Sequence, residues 1–277
     1  MTLYNQDLAN FAKLVETNKI EKFKLPLRVG VDLGTANIVL AVVDADNKPI
    51  AGMSQTSTAV KDGIVVDYVS TVQKVKAMKA ELEKRLGVVL EKAGVAVPPG
   101  ILPGNIRCIA NCVEGADLQV VNIVDEPTAA AQLLGITQGA VVDVGGGTTG
   151  ISILQDGKVV FTGDEPTGGN HMTLTLAGYF NITKEEAEKI KVDPVREQDI
   201  FPIVKPVVEK MATIIKKFLQ GHQVEQVYVV GGACSFAGFT KVFENILNIA
   251  TVKPNDCLLV TPLGIALAAI EEDNHGK

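Results

Sequence analysis

Asp32 and Asp143 each close an apolar run and are followed at once by glycine-rich turns, Gly34-Thr35-Ala36-Asn37 and Gly145-Gly146-Gly147-Thr148. Carboxylates beside clustered glycines suit one task, holding a polyphosphate together with its counter-ion. Glycines let the backbone take unusual dihedrals and bring N–H donors close to phosphate oxygens. Thr148 adds a hydroxyl donor, and Gly34, Thr35 and Asn37 offer a second set. Mg2+ keeps several waters and takes one or two carboxylates, which Asp32 and Asp143 can supply. Glu126 follows another apolar run, so it is expected to project into the same cleft and orient a water.

The elements that position these residues repeat. VDLGTANIVLAVVDADNKPIAG begins at Val31 and VDVGGGTTGISILQDGKVVFTG begins at Val142, and the two align without a net gap. Each reads as strand, turn, strand, turn, strand, followed by helices and strands in alternation, so each half is an α/β unit on a mixed sheet. Strands are expected at Leu27–Asp32, Ile38–Asp44, Pro49–Thr56, Leu118–Val124, Ala140–Asp143, Ile151–Leu154, Lys158–Thr162 and Gln226–Val230, and 93–103 reads as a strand running into a proline-rich loop. Helices are expected near 5–19, 70–86, 105–115, after Pro127, at 170–180, 183–190, 198–220 and 262–272.

Two other phosphate-site patterns fit the sequence less well. Gly145, Gly147 and Gly150 match G-x-G-x-x-G, with Glu165 at the distance of a ribose ligand, but that motif needs a helix directly after the glycines. ISILQDGKVVF is β-rich and turns at Asp156-Gly157, which argues against it. There is no G-x-x-x-x-G-K-[ST].

Composition narrows the partners. The 277 residues are 47% apolar, enough to fill the cores of two modest domains, and the net charge of −6 offers no footprint for nucleic acid. The basic stretch Lys74–Arg85 carries Val75, Met78, Leu82 and Leu86 at helical spacing, so it reads as one solvated face. Four cysteines, Cys108, Cys112, Cys234 and Cys257, lack C-x-x-C spacing and read as small buried side chains, not as metal ligands. The first residues lack the pattern of a signal peptide, and no apolar run is long enough to span a bilayer. A reduced, cytoplasmic protein is expected, with no membrane partner.

Four segments carry a family resemblance. GVDLGTAN (30–37) resembles the first phosphate loop of DnaK, the bacterial actins and FtsA-type proteins, and DVGGGTTG (143–150) resembles their second. DEPTAAA (125–131) is similar to their hinge element, and VVGGACSFAGF (229–239) to their adenosine loop. Their order is that of the superfamily, over roughly residues 27–272. TGGNHMTLTLAGYFNITKEEAEKIK (167–191) is closer to the FtsA and pilus-M branch. Length and motifs together most resemble the ethanolamine-utilisation protein J family. The resemblance implies an actin-like ATPase fold, two duplicated ribonuclease H-like domains with a nucleotide cleft between them. It implies an N-terminal helical extension at 1–26, domain I at 27–138 plus 261–277, and domain II at 139–260.

By the same resemblance, ATP or ADP with Mg2+ is held by Asp32, Gly34, Thr35, Asn37, Asp143, Gly145, Gly146, Gly147 and Thr148. Glu126 positions the attacking water, and Gly231 and Gly232 flank the nucleoside. Three departures stand out. Ser235 replaces the arginine that DnaK carries after its adenosine glycines, Asn170 stands where related branches have Asp, and DnaK's catalytic lysine has no clear match beyond the lysines of 70–86. The implied function is a nucleotide-switched, chaperone-like assembly or reactivation factor with weak Mg-dependent ATPase activity. Its clients would be ethanolamine-utilisation enzymes or microcompartment shell proteins. The rival readings are a small-molecule kinase of the same superfamily and an FtsA-like scaffold. The helix at 5–19, with Leu8, Phe11 and Val15 on one side, reads either as packed on the first lobe or as a docking tag for a microcompartment shell.

Overall fold

Turn residues cut the apolar runs of each half into short strands, and the strands assemble in the same order twice. The computed structural model describes residues 2, 3 and 5–270. Its first half contains β1 (Thr2–Leu3), α1 (Gln6–Thr17), β2 (Arg28–Leu33), β3 (Asn37–Val43) and β4 (Pro49–Thr56). A small hairpin, β5 (Val60–Lys61) and β6 (Ile64–Val65), turns at Asp62 and Gly63, which have φ of 49° and 74°. Then come α2 (Tyr68–Leu86), β7 (Lys92–Val97), α3 (Pro103–Glu114) and β8 (Gln119–Asp125).

The second half runs α4 (Glu126–Leu134), β9 (Gly139–Val144), β10 (Thr149–Gln155), β11 (Lys158–Glu165), α5 (Gly169–Phe180), α6 (Lys184–Lys191) and α7 (Glu197–Phe218). It ends with β12 (Gln226–Val230), α8 (Phe239–Leu247), β13 (Ala250–Pro254) and α9 (Val260–Ala268).

The first sheet has the order β4-β3-β2-β7-β8, and the second has β11-β10-β9-β12-β13 with β1 added at the outer edge. In both, the first three strands of the half are antiparallel and the last two join in parallel. The duplication seen in the sequence is therefore a duplication of topology. A strand, β10, follows the Gly145–Gly147 turn where a dinucleotide motif would place a helix.

Each sheet has its own core. Met78 and Leu82 of α2 pack on Val29, Val31 and Leu40 of the first sheet, while Met211 and Ile215 of α7 pack on Val142, Ile151 and Ile153 of the second. A third cluster lies between the sheets, where Ala130 and Ala131 of α4 meet Leu263 and Ala266 of α9.

Leu8 and Phe11 of α1 belong to that same central cluster, and Phe11 is fully buried against β4. The apolar face that a docking tag would present is spent inside the protein. Val15 is partly buried on the same cluster, as its spacing predicts, and Leu14 is buried as well. Because β1 pairs with β13 while α1 packs on β4, the N-terminal segment touches both sheets. The last helix ends at Ala268, short of the expected 272, and residues 271–277 of the expected domain I lie outside the described residues. Helix α8, strand β13 and the β5–β6 hairpin were not anticipated.

Candidate functional site

The two matched turns meet where the sheets face each other. Between them lies a cleft of about 300 Å³. Asp32, Gly34, Thr35, Asn37, Glu126, Asp143, Gly145, Gly146, Gly147, Thr148, Gly231 and Gly232 all line it. The structure thus brings these twelve sequence-derived candidates into one place.

The second turn is held from behind. Gly145 N–H closes it on Thr148 O at 3.0 Å, and the carbonyls of Gly145 and Gly146 accept from the N–H groups of Gly169 and Asn170 at 2.9 and 2.8 Å. A trans peptide points its N–H opposite to its C=O. With those carbonyls turned to the start of α5, the N–H groups of Gly146 and Gly147 point away from α5, toward the first turn. That close approach demands glycine: a Cβ on Gly147 would meet Asp62 Oδ1 at 2.5 Å and Thr35 Oγ1 at 2.8 Å. The tip of the β5–β6 hairpin therefore reaches across to the second turn.

The floor is acidic, with Asp143 buried and Asp32 and Glu126 partly buried. Burial, and then the neighbouring Asp143, push Asp32 up to about 7. Burial pushes Asp143 up to about 6, opposed by the Thr261 hydroxyl, which donates to its Oδ2 at 2.5 Å. Glu126 is raised well above the usual carboxylate range, first by burial and then by Asp143, Asp32, Asp164 and Asp125. It is the first residue of α4, whose N-cap Asp125 accepts from Thr128 N–H and from Ser152 Oγ of β10, each at 2.9 Å. That pair of bonds ties the start of α4 to the second sheet and fixes Glu126 over the cleft.

Among the described residues, no group of three or more His, Cys, Asp and Glu is placed to hold a metal ion. Two neighbouring carboxylates that repel one another, Asp32 and Asp143, do fit a hydrated Mg2+, which needs only one or two of them. The four cysteines are free thiols, and burial pushes Cys112 up to about 12.

At the far end of the cleft, Gly231 ends β12 with φ of 88°, and a Cβ there would overlap Asp143 Oδ1. Its N–H donates to Cys257 O at 3.0 Å, so the Gly231–Gly232 turn is tied to the segment after β13. Val192, Ala233, Ser235, Phe236 and Leu258 form a mainly apolar slot beside it. Ser235 thus lines the cleft among aliphatic and phenyl side chains.

Ethanolamine utilization protein EutJ of Salmonella typhimurium is 42% identical to the chain over 242 residues, spanning 87% of this chain and 85% of that protein. The chain belongs to the EutJ family. The crystal structure of EutJ from Carboxydothermus hydrogenoformans is 46% identical and superposes with a TM-score of 0.90, over 95% of this chain and 97% of that one. Residues 128–258 also match the family of the type IV pilus assembly protein PilM. MreB 5 of Spiroplasma citri bound to AMPPNP shares the fold at a TM-score of 0.70 and 18% identity, covering 87% of this chain and 95% of that one. The fold is the actin-like ATPase fold.

In this EutJ-family chain the cleft also holds Glu188 and Lys191, which the sequence reading passed over. Lys191 Nζ donates to Glu188 Oε2 at 2.7 Å, to Thr173 Oγ1 at 2.9 Å and to Gly169 O at 3.3 Å. Burial lowers its pKa, offset in part by Glu188. Among the described residues lining the cleft, Lys191 supplies the cation. The lysines of 70–86, entertained as catalytic candidates, do not line it: Lys74 caps Thr56 O, and Lys76 and Lys79 pair with Asp117 and Glu83.

Proposed function

We propose that this protein is a nucleotide-switched clamp of the ethanolamine-utilisation system, a chaperone-like factor that binds Mg·ATP and Mg·ADP between its two halves. The observation that carries the reading is the meeting of two topologically equivalent glycine turns, one from each sheet, over the neighbouring carboxylates Asp32 and Asp143. No helix among the described residues is long and apolar enough to cross a membrane, and the site of action proposed is the cytoplasm, at or beside a microcompartment.

Asp32 and Asp143 would hold Mg2+, which when bound offsets phosphate charge. The N–H groups of Gly146 and Gly147, with Gly34, Thr35 and Asn37, cradle the phosphates. Glu126 orients the attacking water and accepts its proton. Glu188 and Lys191 reach the ribose hydroxyls as acceptor and donor, and the slot at Val192, Phe236 and Leu258 takes the base. Gly231 and Gly232 let the nucleoside approach the backbone. Positioning and charge supply the catalysis, so turnover is slow. ATP and ADP touch the two halves differently, which gives them different preferred openings.

The partners proposed are enzymes of the ethanolamine system and microcompartment shell proteins. The test is the affinity of the chain for purified members of each set, measured in Mg·ATP and again in Mg·ADP. A tenfold or larger difference, equivalent to about 1.4 kcal/mol, supports a switch. Equal affinity in both states, or none for any member, contradicts it.

A further inference from the structure

The Ser235–Phe236 wall of the cleft is held by a lysine that stands outside the cleft. Strand β13 runs parallel to β12, with Val252 beside Tyr228. One residue on, Lys253 turns its side chain onto the loop that follows Gly231 and Gly232. Its Nζ donates to the carbonyls of Cys234, Ser235 and Phe236 at 2.7, 2.5 and 2.8 Å. An ammonium has three donors and no acceptor, so these bonds spend it entirely on the loop. Ser235 and Phe236 line the cleft, and Lys253 does not.

Three successive carbonyls converging on one point is the arrangement of a helix C-terminus, where a cation is favourable. Here Gly232–Cys234 makes one 3-10 turn, too little regular structure to hold the loop by itself. The far end of the loop is pinned separately. Ala237 N–H donates to Glu197 Oε1, in the first turn of α7, at 2.5 Å. The rings of Phe236 and Phe201 lie 5.5 Å apart, and a Cβ on Gly238 would meet the Phe201 ring. The loop is thus fixed to β13 by Lys253 and to α7 by Glu197 and Phe201. A loop left unpinned would have to be ordered on binding, at a cost to affinity.

We propose that Lys253 is a positioning residue for the nucleoside, pre-forming the Ser235–Phe236 wall before a ligand arrives. The inference rests on the nucleotide reading above and divides it into two parts. Lys253 sets how well the nucleoside is held. The phosphates are held independently of it, because the second glycine turn is braced by Gly169 and Asn170.

The test is calorimetric titration of the wild type and Lys253→Met with Mg·ATP and with Mg-tripolyphosphate, which has the phosphates and no nucleoside. Methionine keeps an unbranched stem but none of the three donors. Circular dichroism checks folding. Affinity for Mg·ATP should fall about tenfold in the variant, the scale of ordering a short loop and its side chains on binding. Affinity for tripolyphosphate should stay within about threefold of wild type, a split that general destabilisation would not produce. If Lys253→Met does not fold, Glu197→Ala, which frees the other end of the loop, carries the same prediction. Unchanged Mg·ATP affinity, equal losses for the two ligands, or a wild type that binds ATP but no tripolyphosphate overturns the role of Lys253 and leaves the nucleotide reading standing. A wild type that binds no nucleotide overturns both.

Discussion

Thr261 donates its hydroxyl to Asp143 Oδ2 over 2.5 Å, joining a helix that packs on the first sheet to the carboxylate near the end of β9 in the second. The bond occupies one oxygen of Asp143 and leaves the other on the side of Gly231. It also opposes the burial that pushes Asp143 up. Thr261→Val removes a hydrogen bond to a charged group, a loss of about 1.5–3 kcal/mol, so Mg-dependent nucleotide affinity should fall roughly tenfold or more. Titration calorimetry reads this directly, and unchanged affinity would show that Asp143 needs no such anchor.

The acidic floor predicts a pH dependence with a definite sign. Asp32 sits at about 7, and Asp143 and Asp164 at about 6, above the free-acid value near 4. Their folded pKa values are raised, so the fold favours the protonated forms. The stability they contribute is complete below about pH 4 and is lost as pH rises through 6 to 7. The nucleotide-free protein should therefore melt at progressively lower temperature from pH 5 to pH 8, and Asp32→Asn should flatten that slope. A melting temperature that rises over this window in the wild type would contradict the assignment.

Glu126→Gln keeps the size and burial of the side chain but cannot take a proton. Single-turnover hydrolysis should slow by about 100-fold or more, while Mg·ATP affinity moves little. Equal turnover in the variant would remove Glu126 from the mechanism.

The residues proposed to hold phosphate were legible because their demands are local. Glycines at a close approach and an aspartate at a strand end leave marks in any sequence, and here they leave them twice at matching offsets. Glu188 and Lys191 left none: EEAEKIK reads as a solvated helix face, and only the packing of α6 beside α5 brings one edge of it to the cleft. Asp62 and Gly63 sit in a hairpin with two-residue strands, too short for any alternation to show. Strand β13 is short enough to hide for a similar reason, whereas α8 shows Phe239, Val242, Phe243 and Leu247 at plain helical spacing and was legible in the sequence. The periodicity of α1 was plain, but periodicity says that a face is buried and not what covers it.

That covering has a measurable weight. Phe11 is fully buried between α1 and β4, and truncating a buried phenylalanine costs about 3–5 kcal/mol. Phe11→Ala should therefore lower the melting temperature of the whole protein, read by calorimetric scanning. Unchanged stability would mean that α1 is an appendage after all.

The central claim is that one cleft, built from two equivalent turns, holds a nucleotide through Asp32 and Asp143. Titration of the wild type and of Asp143→Ala with ATP, in Mg2+ and in chelator, tests it most directly. The account predicts saturable, Mg-dependent binding by the wild type and a loss of at least about 30-fold in the variant, the scale of removing one member of a buried charge pair. No binding at millimolar ATP, or equal binding by Asp143→Ala, would contradict it.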